Sequence, residues 1–219
     1  MTDGILLIDK PAGMTSFGVV ARVRRVLSVA AGKKIKVGHT GTLDPFATGL
    51  MILVVGPECR NAGTYTKLDK VYEATFMLGS ESSTGDTEGE LTPVSDDQPD
   101  LEKIDTTLAT FQGEILQKPP VFSAIKINGQ RAYKLARDGK EIEMPTRTVS
   151  IYSLERVSYE YPRLRVRVHV SSGTYIRSLA VDIGRALGTG AYCEYLRRTD
   201  IARWSVGQAT SLEALGVVS

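Results

Sequence analysis

The clearest pattern of hydrophobic and polar positions lies late in the chain, where Leu164, Val166, Val168 and Val170 alternate with Arg163, Arg165, Arg167 and His169. Successive strand side chains point to opposite faces, so this predicts a strand with one core face and one basic face. Just after it, Ile176, Leu179, Ala180, Ile183 and Leu187 recur at helical spacing and predict an amphipathic helix stopped by Gly188. Near the start, Ile5 to Asp9 reads as a short buried strand that ends with Lys10 at the turn Lys10-Pro11-Ala12-Gly13. Ser16 is the expected N-cap of a helix with Val19, Val20, Val23, Val26 and Leu27 on one face and Arg22, Arg24 and Arg25 on the other. From Lys36 to Gly49, the residues Gly38, Gly41, Pro45 and Gly49 argue against a regular element. A shaped loop is predicted there, followed by a second buried strand from Leu50 to Val55.

Lys70 to Leu78 alternates as a strand, and the stretch after it, with Gly85, Gly89 and Pro93, reads as a mobile surface excursion. Asp100 to Phe111 has helical periodicity through Leu101, Ile104, Leu108 and Phe111. A strand and turn are predicted at Gly113 to Pro120, a short basic helix around Arg131 to Arg137, and a strand from Thr148 to Tyr159. Strands and helices interleave without strict alternation, which predicts an α+β fold: a mixed sheet with helices packed on it. No internal repeat or linker asks for a second domain, so residues 1–219 are expected to form one domain.

Composition narrows the class. The chain has 219 residues, 42% hydrophobic and 24% charged, enough to bury a sizeable core. Apolar runs such as Leu50 to Val55 are too short to cross a bilayer, and no basic-then-apolar leader opens the chain, so no membrane association and a cytoplasmic location are expected. Cys59 and Cys193 belong to no closely spaced pair and suggest neither a disulfide framework nor a zinc site. The net charge of +2 hides a segregation. Nine acids stand between Ser80 and Asp105 against the single base Lys103, whereas the chain from Lys118 to Arg203 is rich in Lys and Arg. The basic region could dock a phosphate-rich partner, or simply be a solvated surface.

No Gly-x4-Gly-Lys-Ser/Thr loop occurs, and Gly188-Thr-Gly190 lacks the third glycine of a dinucleotide fingerprint, so no nucleotide cofactor is indicated. His39 and His169 are far apart and have no Cys nearby, so no metal is expected. Among the acids, Asp44 stands out, because its loop is shaped by Gly38, Gly41, Pro45 and Gly49. On the residues alone it is either a loop-capping aspartate or a carboxylate presented for chemistry.

The segment Gly38-His-Thr-Gly-Thr-Leu-Asp-Pro-Phe-Ala-Thr-Gly49 resembles the catalytic signature of the TruB family of tRNA pseudouridine synthases. Further matching blocks are Asp9-Lys-Pro-Ala-Gly-Met-Thr-Ser16, Lys70-Val-Tyr72, Pro119-Pro-Val-Phe-Ser-Ala-Ile-Lys126, Gly129-Gln-Arg-Ala-Tyr-Lys-Leu-Ala-Arg137, Gly173-Thr-Tyr-Ile-Arg177 and Leu196-Arg-Arg-Thr199. They follow the family's order over nearly the whole chain. The resemblance implies the pseudouridine synthase fold, with a mostly antiparallel sheet, and cofactor-free isomerisation of a uridine in tRNA. The segment from Pro119 to Arg137 is closer to the bacterial tRNA enzymes, which implies uridine 55 of the T-loop as target. By the same resemblance Asp44 is the essential carboxylate, Arg177 the cation beside it, Tyr72 the ring that stacks on the flipped uracil and Tyr175 a second tyrosine beside the base. His39 is implied to contact RNA near the extruded nucleotide, Leu196 to wall the pocket and Lys10 to close its floor. Arg131, Lys134 and Arg137 fall in a basic insertion at about 119–147, implied to fold over the T-arm and to become ordered with RNA.

The chain ends at Ser219, where many bacterial members continue into a small RNA-binding domain of the PUA type. A short form without that domain, acting as a monomer on the T-arm, is therefore expected. Two other readings are an RNA-folding factor that opens the tRNA elbow, which intact Asp44 disfavours, and a carboxylate-dependent glycosidase, for which no second acid is visible.

Overall fold

The computed structural model describes residues 3–123, 125–127, 129–138 and 142–216. Its strands make a mixed sheet with helices packed on it, as the interleaved pattern predicts, and the pairing is mostly antiparallel, as the family resemblance implies. The chain divides into two compact units, one of residues 1–73 and 195–219, the other of residues 74–194. It passes between them within the strands Lys70–Leu78 and Ala191–Ile201.

In the first unit, Gly4–Lys10 pairs antiparallel with Thr48–Val55, from Gly4 opposite Val55 to Lys10 opposite Gly49. Thr48–Val55 is buried almost throughout, so its apolar run needs no alternation. Leu50, Ile52 and Ile201 form a core cluster capped by Tyr65, Leu68 and Trp204. The region predicted as a continuous loop is partly regular. Val37–His39 is a short strand against Thr48–Val55, and Thr48 and Gly49 already belong to the latter. Gly49 tolerates this with φ +105°, and a Cβ there would lie 2.2 Å from the Arg198 carbonyl oxygen. That close approach lets Arg197 and Arg198 pair in parallel with Thr48 and Gly49.

The helix Ser16–Ala31 buries Val19, Val20 and Val23, but its N-cap is Thr15, whose side chain accepts from the Gly18 N–H. Ser16 is the first helical residue and turns its hydroxyl inward.

In the second unit, Arg163–Val170 pairs antiparallel with Arg147–Glu160, which pairs in turn with Gly113–Gln117. Leu164, Val166, Val168 and Val170 are all buried, while Arg163, Arg165 and Arg167 are exposed, as the alternation predicts. The helix Ile176–Leu187 buries Ile176, Leu179, Ala180, Ile183 and Leu187 and ends at Gly188 in the left-handed region. Asp100 caps the helix Leu101–Thr110, accepting from the Lys103 N–H at 2.8 Å.

The acidic stretch is not a free excursion. Ser80–Ser82 and Leu91–Pro93 pair as an antiparallel hairpin, and Asp86 between them is buried and bridges to Cys193. The nine acids hid one whose charge is neutralised inside the protein. The short helix Ala132–Arg137 and the strands Lys126–Ile127 and Gln130–Arg131 are present. The side chains of Arg131, Lys134 and Arg137 lie outside the described residues.

Candidate active site

Asp44 sits half-buried on the loop between Val37–His39 and Thr48–Val55, and the backbone on both sides of it is bound to other elements. Before it, the Ser16 hydroxyl donates to the Leu43 carbonyl and accepts from the Leu43 N–H, both at 2.8 Å and both buried. After it, the fully buried Lys10 ammonium donates to the carbonyls of Pro45 at 3.1 Å, Ala47 at 2.6 Å and Pro11 at 2.8 Å. The Gly13 N–H donates to Pro45 as well, and the Ala47 N–H to Asp44 itself. Further out, the Arg198 guanidinium, 1% exposed, donates to Gly41 at 3.1 Å and Leu50 at 2.7 Å. Buried ammonium and guanidinium groups that donate to carbonyl oxygens fix the loop. Such a frame presents a carboxylate with little conformational freedom.

The same unit holds Tyr72, buried in Lys70–Leu78, Leu196, buried in Ala191–Ile201, and His39, half-buried at the end of its strand. Next to Leu196, Arg197 clasps Asp9 with two hydrogen bonds at 2.7 and 3.1 Å, and this pairing raises its pKa. Lys70 was not singled out from sequence as a site residue. It is buried and donates to the carbonyls of Thr66 and Leu68. Burial first, and then the charge of Arg198, lower its pKa to about 8.

In the second unit Arg177 occupies the first turn of Ile176–Leu187 and is 3% exposed. Its guanidinium donates to Asp86 at 3.0 Å, to the Thr84 carbonyl at 2.9 Å and to the Phe122 carbonyl at 2.8 Å. Asp86 also accepts from the Thr84 hydroxyl at 2.5 Å and the Glu88 N–H at 3.0 Å. Nothing in the sequence distinguishes this buried carboxylate from its eight acidic neighbours. Tyr175 precedes the helix, and the buried Gln117 amide clamps its backbone, accepting from its N–H at 2.8 Å and donating to its carbonyl at 3.0 Å. The Arg147 guanidinium lies 4.9 Å from the Tyr175 ring centre. A cleft of about 280 Å³ opens beside Arg177, lined by Thr84, Gly85, Pro119, Phe122 and Val181.

The basic series thus divides. Arg177 and Arg198 are internal, Arg156 is bound to Asp105 and Arg163 to Glu194. Among the described residues no cluster of His, Cys, Asp and Glu could hold a metal ion, and no helix is long and apolar enough to cross a membrane.

Comparison with known proteins places the chain in a family. The chain matches the family model described as TruB family pseudouridylate synthase (N terminal domain) over residues 24–176. It belongs to the TruB family of pseudouridylate synthases. It is 45% identical over 218 residues to tRNA pseudouridine synthase B of Azoarcus sp. (strain BH72), covering 98% of this chain and 70% of that one. With the same enzyme of Aquifex aeolicus (strain VF5) the identity is 45% over 214 residues, covering 96% and 72%. Among solved structures it resembles a chain of a Cbf5-Nop10-Gar1 complex with a TM-score of 0.75 and 30% identity, covering 97% of this chain and 53% of that one. It also resembles a chain of an H/ACA RNP bound to a substrate RNA containing 2'-deoxyuridine, with a TM-score of 0.71, 28% identity and coverage of 97% and 52%. The chain spans about half the length of those solved chains.

Proposed function

We propose that this chain isomerises uridine to pseudouridine in tRNA, at position 55 of the T-loop, with Asp44 as the carboxylate on which the reaction depends. The observation that carries the reading is the Asp44 loop, bound by Ser16 before the aspartate and by Lys10 and Gly13 after it. Its similarity to enzymes named tRNA pseudouridine synthase B supplies the substrate class.

A buried reaction site in RNA has to be reached by extruding the nucleotide, which costs a few kcal/mol and must be offset by contacts to the displaced strand. Asp44, ionised, attacks or otherwise activates the nucleoside so that the bond between C1′ and N1 breaks. The uracil turns, C1′ rejoins at C5, the C5 hydrogen leaves as a proton and N1 gains one. The sum is an isomerisation, and the step consumes no oxidant, reductant or co-substrate. Tyr72 stacks on the extruded base and Tyr175 flanks it, with Leu196 as an apolar wall. Lys10 closes the floor of the site, and Arg177 supplies the cation that offsets the desolvation of Asp44 when RNA excludes water. His39 contacts the displaced strand, and Arg131, Lys134 and Arg137 close over the T-arm. The enzyme acts as a monomer in the cytoplasm, without metal or cofactor.

The test is conversion of uridine in an unmodified tRNA transcript, mapped by position, with wild type and Asp44→Asn. Conversion at the T-loop uridine that disappears in the variant supports the reading. Binding of tRNA without conversion by wild type would refute it and favour a folding factor.

A further inference from the structure

Between Lys10 and Leu43 the chain has six Lys and Arg residues and no Asp or Glu. Five of these cations, Arg22, Arg25, Lys33, Lys34 and Lys36, are exposed. Among the described residues none of the five has a carboxylate partner, whereas Arg156, Arg163, Arg185 and Arg197 each have one. Their backbone is nevertheless well held. Val19, Val20 and Val23 anchor one face of Ser16–Ala31, and Gly32 ends it in the left-handed region. The following turn is tied back by the Ile35 N–H to the Ser28 hydroxyl at 3.0 Å and by the Gly56 N–H to the Lys36 carbonyl at 2.8 Å.

Near the start of the same helix, Phe17 is 67% exposed. Arg22 folds towards this end, its guanidinium 3.5 Å from where a Cβ on Gly18 would stand. Phe17 directly follows Ser16, whose hydroxyl grips Leu43 next to Asp44, so it belongs to the same end of the helix as the contact with the reaction loop. Unpaired cations on a fixed helix with one bare aromatic ring combine the two elements by which proteins hold nucleic acid strands, charge for phosphate and a π-face for a base.

We infer that the open face of Ser16–Ala31, continued by Lys33, Lys34 and Lys36, is a docking track for the substrate RNA, with phosphates along the cations and one nucleotide stacked on Phe17. The inference rests on the proposed RNA substrate and adds contact residues beyond those of the basic insertion. Neutralising these cations removes counterion release, and replacing the ring removes stacking, so the two kinds of variant have different signatures.

The test is the affinity of an unmodified tRNA transcript, measured from 50 to 200 mM salt, for full-length protein. For Arg22→Gln/Arg25→Gln the dependence of log Kd on log salt should become shallower by about 1.4 to 1.8, so that the variant's affinity falls roughly tenfold less than wild type's over that range. Lys33→Gln/Lys34→Gln, outside the helix, should behave alike and guards against a folding defect in the first pair. Phe17→Ala should weaken binding about tenfold and leave the slope unchanged. Arg156→Gln, whose cation is already paired with Asp105, should change the slope least. Wild-type slopes in both double variants would overturn the inference while leaving the proposed activity standing. So would an equal change in Arg156→Gln, since the effect would then be one of net charge. If wild type neither binds nor converts tRNA, the proposed function fails and this inference falls with it.

Discussion

Replacing Ser16 with Ala removes a hydroxyl that makes two buried hydrogen bonds to one residue, the Leu43 carbonyl and N–H, each at 2.8 Å. Each bond contributes about 1 kcal/mol net, and a buried backbone group left unpaired costs about 1–3 kcal/mol. Better helix propensity of Ala returns at most about 0.5 kcal/mol. A net loss of about 2–3 kcal/mol follows, which lowers Tm by roughly 5–10 °C for a chain of this size. Leu43 precedes Asp44, so the released loop should also misplace the carboxylate, and a shift of about 1 Å can cost roughly 10²-fold in rate. Thr15→Ala is the control. It removes the N-cap bond to Gly18 at 3.0 Å, which is exposed and touches no loop residue, and should cost about 1 kcal/mol without slowing conversion. Thermal unfolding and single-turnover conversion of an unmodified tRNA transcript test both variants. A Ser16→Ala protein that melts like Thr15→Ala and converts uridine at the wild-type rate would refute the reasoning, leaving Ser16 as a helix-start residue and no more.

Gly49→Ala places a Cβ 2.2 Å from the Arg198 carbonyl oxygen at φ +105°, so it should destabilise by at least about 3 kcal/mol, visible as a lower denaturant midpoint. Lys70 has a folded pKa of about 8 against an ordinary 10.5, so the unfolded chain binds more protons between those values. Wild type should therefore gain stability relative to Lys70→Met as pH rises from 8 towards 10.5, and denaturant midpoints across that range that move in parallel would refute the assignment. Arg177→Met leaves the buried Asp86 without its cation and should cost about 3–5 kcal/mol, while Arg177→Met/Asp86→Leu should recover part of that loss in a double-mutant cycle. Lys cannot replace Arg177 fully, since one ammonium cannot span Thr84, Asp86 and Phe122 as the guanidinium does, and Arg177→Lys should melt below wild type.

Local signals were read correctly wherever one face of an element meets the core. The alternation from Arg163 to Val170 and the helical spacing from Ile176 to Leu187 gave the right elements, and Lys70 to Leu78 matched its strand at both ends. The misreadings share one cause. Ser16 was expected as an N-cap, and the acidic stretch as a surface excursion, because local composition favours both. In each case a distant partner, Leu43 or Arg177, determined what the side chain does.

The sequence by itself determined the class of fold, the loop that carries Asp44, and the family signature around it, because periodicity and glycine placement are properties of neighbouring residues. Only the tertiary structure decided which charges face inward. No local pattern marks Lys10, Lys70, Arg177 and Arg198 as internal, yet all four are buried and bound to backbone carbonyls. The helix arginines Arg22 and Arg25 remain exposed and unpaired among the described residues. Burial and pairing depend on groups as far away as the 157 residues that separate Arg198 from Gly41, and no local pattern encodes a partner at that distance.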